Sequence, residues 1–238
     1  MRQLISALFT LTLLAVGMGM VGACSTPQAG ASNDAGNTIL TYPAGQATPT
    51  VGRPAPALAA PALKAQDVLE SWQVVDLPAG LPGEVGRWIT RDGYLAQDGI
   101  QPAANLSSRT TMLLSPLPAT EISAAFYDQH NGTAGLISNA GDHGFYRLLL
   151  DRGTGTFSLE RVVDGVATVL AGGTAVVGED TWHTMQLSGG GNTLIVRLDG
   201  RELARITDAK PLPAGKVGIM TRALGGIMFD QISLTEEN

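Results

Sequence analysis

The sequence predicts an all-β fold, a two-sheet antiparallel β-sandwich, and three observations carry that expectation. Beyond Asp67 the chain breaks into short apolar runs separated by Gly, Asn-Gly and Asp-Gly, with β-branched and aromatic residues between them, which is the texture of strands joined by tight turns. Several hairpins can be drawn whose registers are internally consistent. No stretch sustains a 3.6-residue apolar period, so the strand faces have one another to bury against.

Before that domain lie two segments of different character. Residues 1–23 open on Met1-Arg2 and continue through Leu4, Ile5, Leu8, Phe9, Leu11, Leu13, Leu14 and Val16, the charge and apolar pattern of a secretory signal. The run is short, broken by Gly17, Gly19 and Gly22, and has no basic stop-transfer cluster, which argues against a spanning helix. It ends in Val21-Gly22-Ala23-Cys24, and Cys24 is the only cysteine in the sequence. That tetrapeptide resembles the bacterial lipobox, and the resemblance implies lipidation of Cys24, export, and a membrane anchor in the bacterial cell envelope. Residues 24–66 are rich in Ala, Pro, Gly, Thr and Ser with few large apolar side chains, and are expected to be a flexible tether. A coil of that length has an end-to-end distance on the order of 35 Å. The folded domain is expected over residues 67–238.

Within that domain the clearest hairpin joins Phe145–Leu150 to Thr156–Val163 through Arg152-Gly153-Thr154-Gly155. Pairing Asp151 with Thr156 sets Leu150 opposite Phe157 and Leu148 opposite Leu159 on one face. Arg147 then faces Glu160, and Phe145 faces Val162, on the other. Asp164-Gly165 supplies a two-residue turn that tolerates positive φ, and the chain returns through Ala167–Leu170. Trp182–Leu187 and Thr193–Leu198 form a second pair across Gly189–Asn192. Asp199-Gly200 closes a third hairpin, with Val196 expected opposite Leu203 and Arg197 opposite Glu202. Gly215–Met220 and Gly226–Leu234 read as closing strands.

Composition narrows the function classes. The net charge is −6, from 21 acidic and 15 basic residues, which leaves no basic surplus for phosphate neutralisation and argues against a nucleic-acid partner. Apart from Cys24 there is no thiol for a disulfide or a thiolate metal site. His130, His143 and His183 lack the i,i+4 spacing of a zinc enzyme.

The order of Gly144–Leu148, Leu159-Glu160-Arg161, Asp164-Gly165, Trp182-His183, Leu198-Asp199-Gly200, Gly215–Gly218 and Phe229–Ile232 resembles the concanavalin A-like lectin/glucanase and laminin-G-like jelly roll, across roughly residues 68–234. The resemblance implies two curved antiparallel sheets and a superfamily that includes lectins, carbohydrate-binding modules, adhesion domains and glycoside hydrolases, so fold alone does not choose among them. Glucanases of this fold carry Glu-x-Asp on one strand, where alternate residues share a face. No such run occurs: Glu179-Asp180 are adjacent, and Glu160 is followed by Arg161-Val162-Val163. Catalysis is therefore not expected.

Sugars are recognised by an aromatic face and by planar polar groups. The candidate binding set is Tyr127, Phe145, Arg147 and Glu160 from the strands, with Asp142 and His143 from the turn before Phe145. Relatives of the fold often hold a structural calcium through a carboxylate of the last strand plus backbone carbonyls, and Asp230 matches that position by resemblance. The resulting expectation is a surface-anchored, non-catalytic lipoprotein that recognises extracellular or cell-wall carbohydrate. The alternatives are a glycoside-cleaving enzyme of the same fold and an adhesion domain that binds an envelope protein.

Overall fold

The computed structural model describes residues 61–77, 87–97, 110–129, 131–222 and 226–236. The signal segment, Cys24 and most of the expected tether lie outside the described residues, as does His130. Among the described residues no helix is long and apolar enough to cross a membrane.

Among the described residues one short helix, α1 (Ala65–Ser71), precedes fourteen strands: β1 (Gln73–Leu77), β2 (Trp88–Arg91), β3 (Tyr94–Gln97), β4 (Thr110–Pro118), β5 (Glu121–Asp128), β6 (Thr133–Gly141), β7 (Gly144–Asp151), β8 (Thr156–Val163), β9 (Val166–Thr174), β10 (His183–Ser188), β11 (Thr193–Leu198), β12 (Arg201–Thr207), β13 (Lys216–Arg222) and β14 (Ile227–Thr235). They form two seven-stranded sheets, ordered β1-β4-β13-β6-β7-β8-β9 and β12-β11-β10-β5-β14-β3-β2. The chain is a jelly-roll β-sandwich: the turn spacing predicts the two-sheet sandwich, and the resemblance implies the jelly roll.

Strand alternation builds the core. Leu113, Leu136, Leu148, Leu159 and Ile219 of the first sheet pack with Ile122, Phe126, Met185, Val196 and Phe229 of the second. Each side chain of this size contributes roughly 1.5–3 kcal/mol when fully removed from water. Trp88 links the layers by a second means, since its indole N–H donates to Thr111 Oγ1 at 3.1 Å.

The β7–β8 register is the expected one, from Asp151 opposite Thr156 to Phe145 opposite Val162. Asp164 and Gly165 have φ of 50° and 78°, so the turn into β9 uses the left-handed conformation that Asp-Gly tolerates. The β11–β12 hairpin departs from expectation in one detail. Arg197 faces Glu202, but a bulge between Val196 and Arg197 sets Val196 opposite Ala204 instead of Leu203. The two-residue turn fixes the nearest pairs, and one extra residue on β12 then shifts all later ones.

The helix is a correction to the all-strand reading. Ala65, Val68, Leu69 and Trp72 follow i, i+3, i+4, i+7 spacing, and all four pack against the core. The pattern covers barely two turns, too short to register against the surrounding polar composition. Folded chain also begins ahead of residue 67, because the Leu63 N–H donates to the Ile232 carbonyl at 2.7 Å. That bridge meets β14 at a bulge between Asp230 and Ser233, where Gln231 adopts φ of 47°.

A buried network ties the β12–β13 connection to the first sheet. Tyr146 Oη donates to Asp208 Oδ2 at 2.7 Å and accepts the Leu212 N–H at 2.9 Å. Asp208 Oδ1 takes the Lys210 N–H at 2.8 Å, and Arg161 Nη1 stands 3.8 Å from Oδ2. Burial and the bond to Asp208 push the Tyr146 hydroxyl up to about 12. For Asp208, burial alone would raise the pKa. The hydrogen bonds from Tyr146 and Lys210 and the charge of Arg161 outweigh it and hold the carboxyl below its ordinary range.

Tyr146→Phe leaves the Leu212 N–H without its acceptor and should lower stability by about 1–3 kcal/mol in denaturant titration. Because the folded pKa of Asp208 lies below its unfolded value, its contribution is present above about pH 4 and is lost as pH falls through the lowered folded value. Asp208→Asn should flatten the acid limb of a stability–pH curve, and an unchanged acid limb would contradict the network's role.

Candidate functional site

The first sheet has a second populated face, turned away from the core. Antiparallel registers order it into rows across the strands. Met112, Met220, Gly135, Leu149 and Ser158 form one row, and Leu114, Gly218, Ile137, Arg147 and Glu160 the next. Met112, Ile137, Leu149 and Met220 cluster as an apolar floor, with Phe145, Val75, Leu77 and Leu114 packed at its margins. Gly135 is required here, because a Cβ would lie 2.7 Å from Met220 Cγ and 2.4 Å from the Leu148 carbonyl oxygen.

Arg147 and Glu160 stand on this floor as a cross-strand ion pair. Arg147 Nε and Nη2 reach Glu160 Oε2 at 2.7 and 2.6 Å, and Ser158 Oγ donates to Oε1 at 3.0 Å. The side chains are 13% and 12% exposed, so the pair is more than a solvated surface bridge, yet its outer edge meets solvent. Both Glu160 oxygens are used as acceptors. Phe145, half-buried, follows the two-residue turn Asp142-His143 between Gly141 and Gly144, and both turn residues are exposed. Gly144 enters β7 at φ of 132° with no room for a side chain, since a Cβ would sit 2.0 Å from the Val162 carbonyl oxygen.

Five of the six expected binding residues therefore belong to β7, β8 and the turn leading into them. Tyr127 does not join them. It lies on β5 in the other sheet, 2% exposed, and its hydroxyl donates to Asp180 Oδ1 at 2.9 Å. Burial and that bond push its pKa up to about 12. Its ring packs against Trp182 at a centroid distance of 5.5 Å, and Trp182 meets Tyr94 at 5.1 Å. Alternation tells which face of a strand a residue takes, but not which sheet the strand joins.

Arg222 and Asp151 are the charged members of this face that the sequence reading missed. Register aligns both with Thr133 in the row beside Met220. Continuing the alternation of the closing strand from inward Val217 and Ile219 to outward Met220 and Arg222 would have found the arginine.

His183 has a structural explanation. Its Nε2 accepts the Gly178 N–H at 2.9 Å, so the ring proton sits on Nδ1, 2.7 Å from Asp199 Oδ2. For Asp230, a calcium ion would need several oxygen ligands. Among the described residues no group of three or more His, Cys, Asp or Glu side chains is placed to hold a metal.

No protein-family model matches the sequence, and no curated protein matches it. Solved structures do match. A protein of unknown function with a galectin-like fold from Bacillus subtilis superposes with a TM-score of 0.57 at 17% identity, covering 72% of this chain and 91% of that one. The carbohydrate-binding module CBM66 from Bacillus subtilis gives 0.53 at 13%, covering 62% and 89%. A β-glucanase from Bacillus licheniformis gives 0.51 at 11%, covering 70% and 92%. The chain shares the jelly-roll fold of these structures. At these identities the likeness establishes that fold, which serves both carbohydrate binders and glycosidases, and leaves activity to the site's own chemistry.

Arg147→Leu leaves Glu160 without its main partner and should cost about 2–3 kcal/mol in chemical denaturation. The double variant Arg147→Leu/Glu160→Leu should recover a large part of that loss, because two apolar residues need no partner. Strictly additive effects would show that the two side chains do not interact.

Proposed function

We propose that this protein is a non-catalytic carbohydrate-binding lipoprotein, held to a bacterial envelope through Cys24, whose ligand lies across the outer face of the first sheet. One observation carries the reading. A largely buried Arg147–Glu160 pair with ordered hydrogen bonds stands over an apolar floor beside Phe145. Fixed planar polar groups match sugar hydroxyls, and apolar and aromatic surface matches the C–H faces of the rings. The exposed Asp142-His143 turn rims this face. The kinship in fold with a carbohydrate-binding module and a glucanase supports a sugar as the partner. Both Glu160 oxygens are engaged as acceptors, which favours binding over acid catalysis, where the carboxyl must exchange a proton with the leaving group.

A polysaccharide array probed with the protein should show saturable binding to one glycan class. Phe145→Ala and Arg147→Ala should each weaken that binding at least tenfold, with no reducing sugar released. Release of reducing sugar would replace the binder with an enzyme, and full binding by both variants would reject this face.

The anchor is tested separately. In cells, Cys24→Ser should move the protein from the membrane fraction to the soluble exported fraction and abolish incorporation of a fatty-acid label. A cysteine-independent membrane fraction would exclude lipid anchoring at Cys24.

A further inference from the structure

The first sheet ends on one side at β9, and no strand lies beyond it among the described residues. The four edge strands of the two sheets are not alike. β1 carries Asp76, β2 ends on Arg91, and β12 carries Arg201, Glu202 and Arg205, charged side chains of the kind that keep an edge from pairing with another chain. β9 is longer than each of these and has neither a charge nor a proline. Val166 and Val169 on it, and Val176 just after it, are 67%, 63% and 81% exposed, three of the six large apolar side chains left exposed among the described residues.

The hydrogen-bond phase of β9 defines what this edge offers. The two-residue turn makes Val163 and Val166 a hydrogen-bonded pair, so Val166 and Thr168 turn their backbone groups to β8 while Ala167 and Val169 turn theirs away. Leu170 is the extra residue of a bulge, since Glu160 faces Val169 and Leu159 faces Ala171. Beyond it the phase is reversed. The Ala175 N–H donates to the Gly155 carbonyl at 2.9 Å, so Ala171 and Gly173 face β8 while Gly172 and Thr174 face away. The outward residues Ala167, Val169, Gly172 and Thr174 are therefore symmetric about the point between Leu170 and Ala171. An antiparallel copy of the strand meets them with Ala167 opposite Thr174 and Val169 opposite Gly172, each twice, and each outward N–H finds a carbonyl.

We propose that β9 pairs with β9 of a second copy of this chain about that two-fold axis, joining the two first sheets into one. The occupant is a second copy because the strand is complementary to itself in hydrogen-bond phase, and because no pair in this register sets like charges together. The paired residues are small, with each Val169 beside a glycine. An isologous pairing of this kind closes on itself, and the edges left at the two ends of the joined sheet are the Asp76-bearing β1 strands. The pairing stands without the glycan reading. Together with it, the two Arg147–Glu160 pairs share one side of the joined sheet, five strand spacings or about 24 Å apart, so that one polysaccharide chain engages both.

Sedimentation equilibrium of the full chain carrying Cys24→Ser, which removes its only native thiol, tests the pairing. Between about 1 and 100 μM the mass should rise from one chain toward two. Val169→Lys should hold it at one chain throughout. Gln73→Lys, at an exposed position on the β1 edge, should dimerise like the parent, and both variants should keep the parent's melting temperature. The register is read by oxidation. Chains with Val169→Cys mixed with chains with Gly172→Cys should form a disulfide-linked dimer, and neither alone should, because identical positions lie about three residues apart along the paired strands. A single-chain mass throughout in the parent, a dimer that survives Val169→Lys, or no more linking in the mixture than in either sample alone overturns the proposal, and each of these leaves the glycan reading untouched.

Discussion

Alternate residues of β7 are committed to the space between the sheets, and that commitment decides what the remaining side chains can do. Tyr146, Leu148 and Leu150 point inward, so Phe145, Arg147 and Leu149 must share the outer face. The four-residue turn 152–155 then sets β8 so that Leu159 meets Leu148 while Glu160 meets Arg147. A slip of β8 by one residue would turn Glu160 toward the core and Leu159 toward solvent, leaving Arg147 without its partner. The ion pair on the outer face and the leucine pair on the inner one are two consequences of a single register. The buried bonds of Tyr146 to Asp208 and Leu212 anchor the same strand at its inner face.

That constraint explains why so much of the hairpin geometry was legible in the sequence. Asp-Gly turns and an alternation of period two fix local pairing without reference to the rest of the fold, and β7–β9 follow them. What failed depended on longer range. The bulge at Val196 lies beyond the pairs that the two-residue turn fixes, the two-turn helix α1 is defined by a Trp72 and Val68 that need the assembled core, and Tyr127 stands apart from the other candidates because hairpin registers say nothing about which layer β5 enters. Arg222 was missed for a simpler reason. Its strand is joined to β6 and β4, distant in sequence, so no hairpin partner displayed it beside Asp151.

The two outer faces differ in how polar and apolar groups are arranged. On the second sheet a ladder of polar groups satisfies itself: Glu121 accepts from Gln186 and Ser188, Gln186 accepts from Arg197, and Arg205 holds Glu202. Beside it, Trp182 and Tyr127 are nearly closed to solvent. On the first sheet, the Arg147–Glu160 pair stands as a polar edge over an apolar floor. The first sheet carries the functional reading through that polar edge over an apolar floor, although the second holds more of the aromatic residues.

The central claim is one of place: that sugar recognition belongs to the outer face of β6, β7, β8 and β13. Backbone amide chemical shifts followed during titration with the best-binding oligosaccharide test it most directly. The account predicts that saturable shifts concentrate at residues 142–149, 158–161 and 220–222 and leave Tyr94, Tyr127 and Trp182 unmoved. Shifts confined to those three aromatic residues and their neighbours would contradict it.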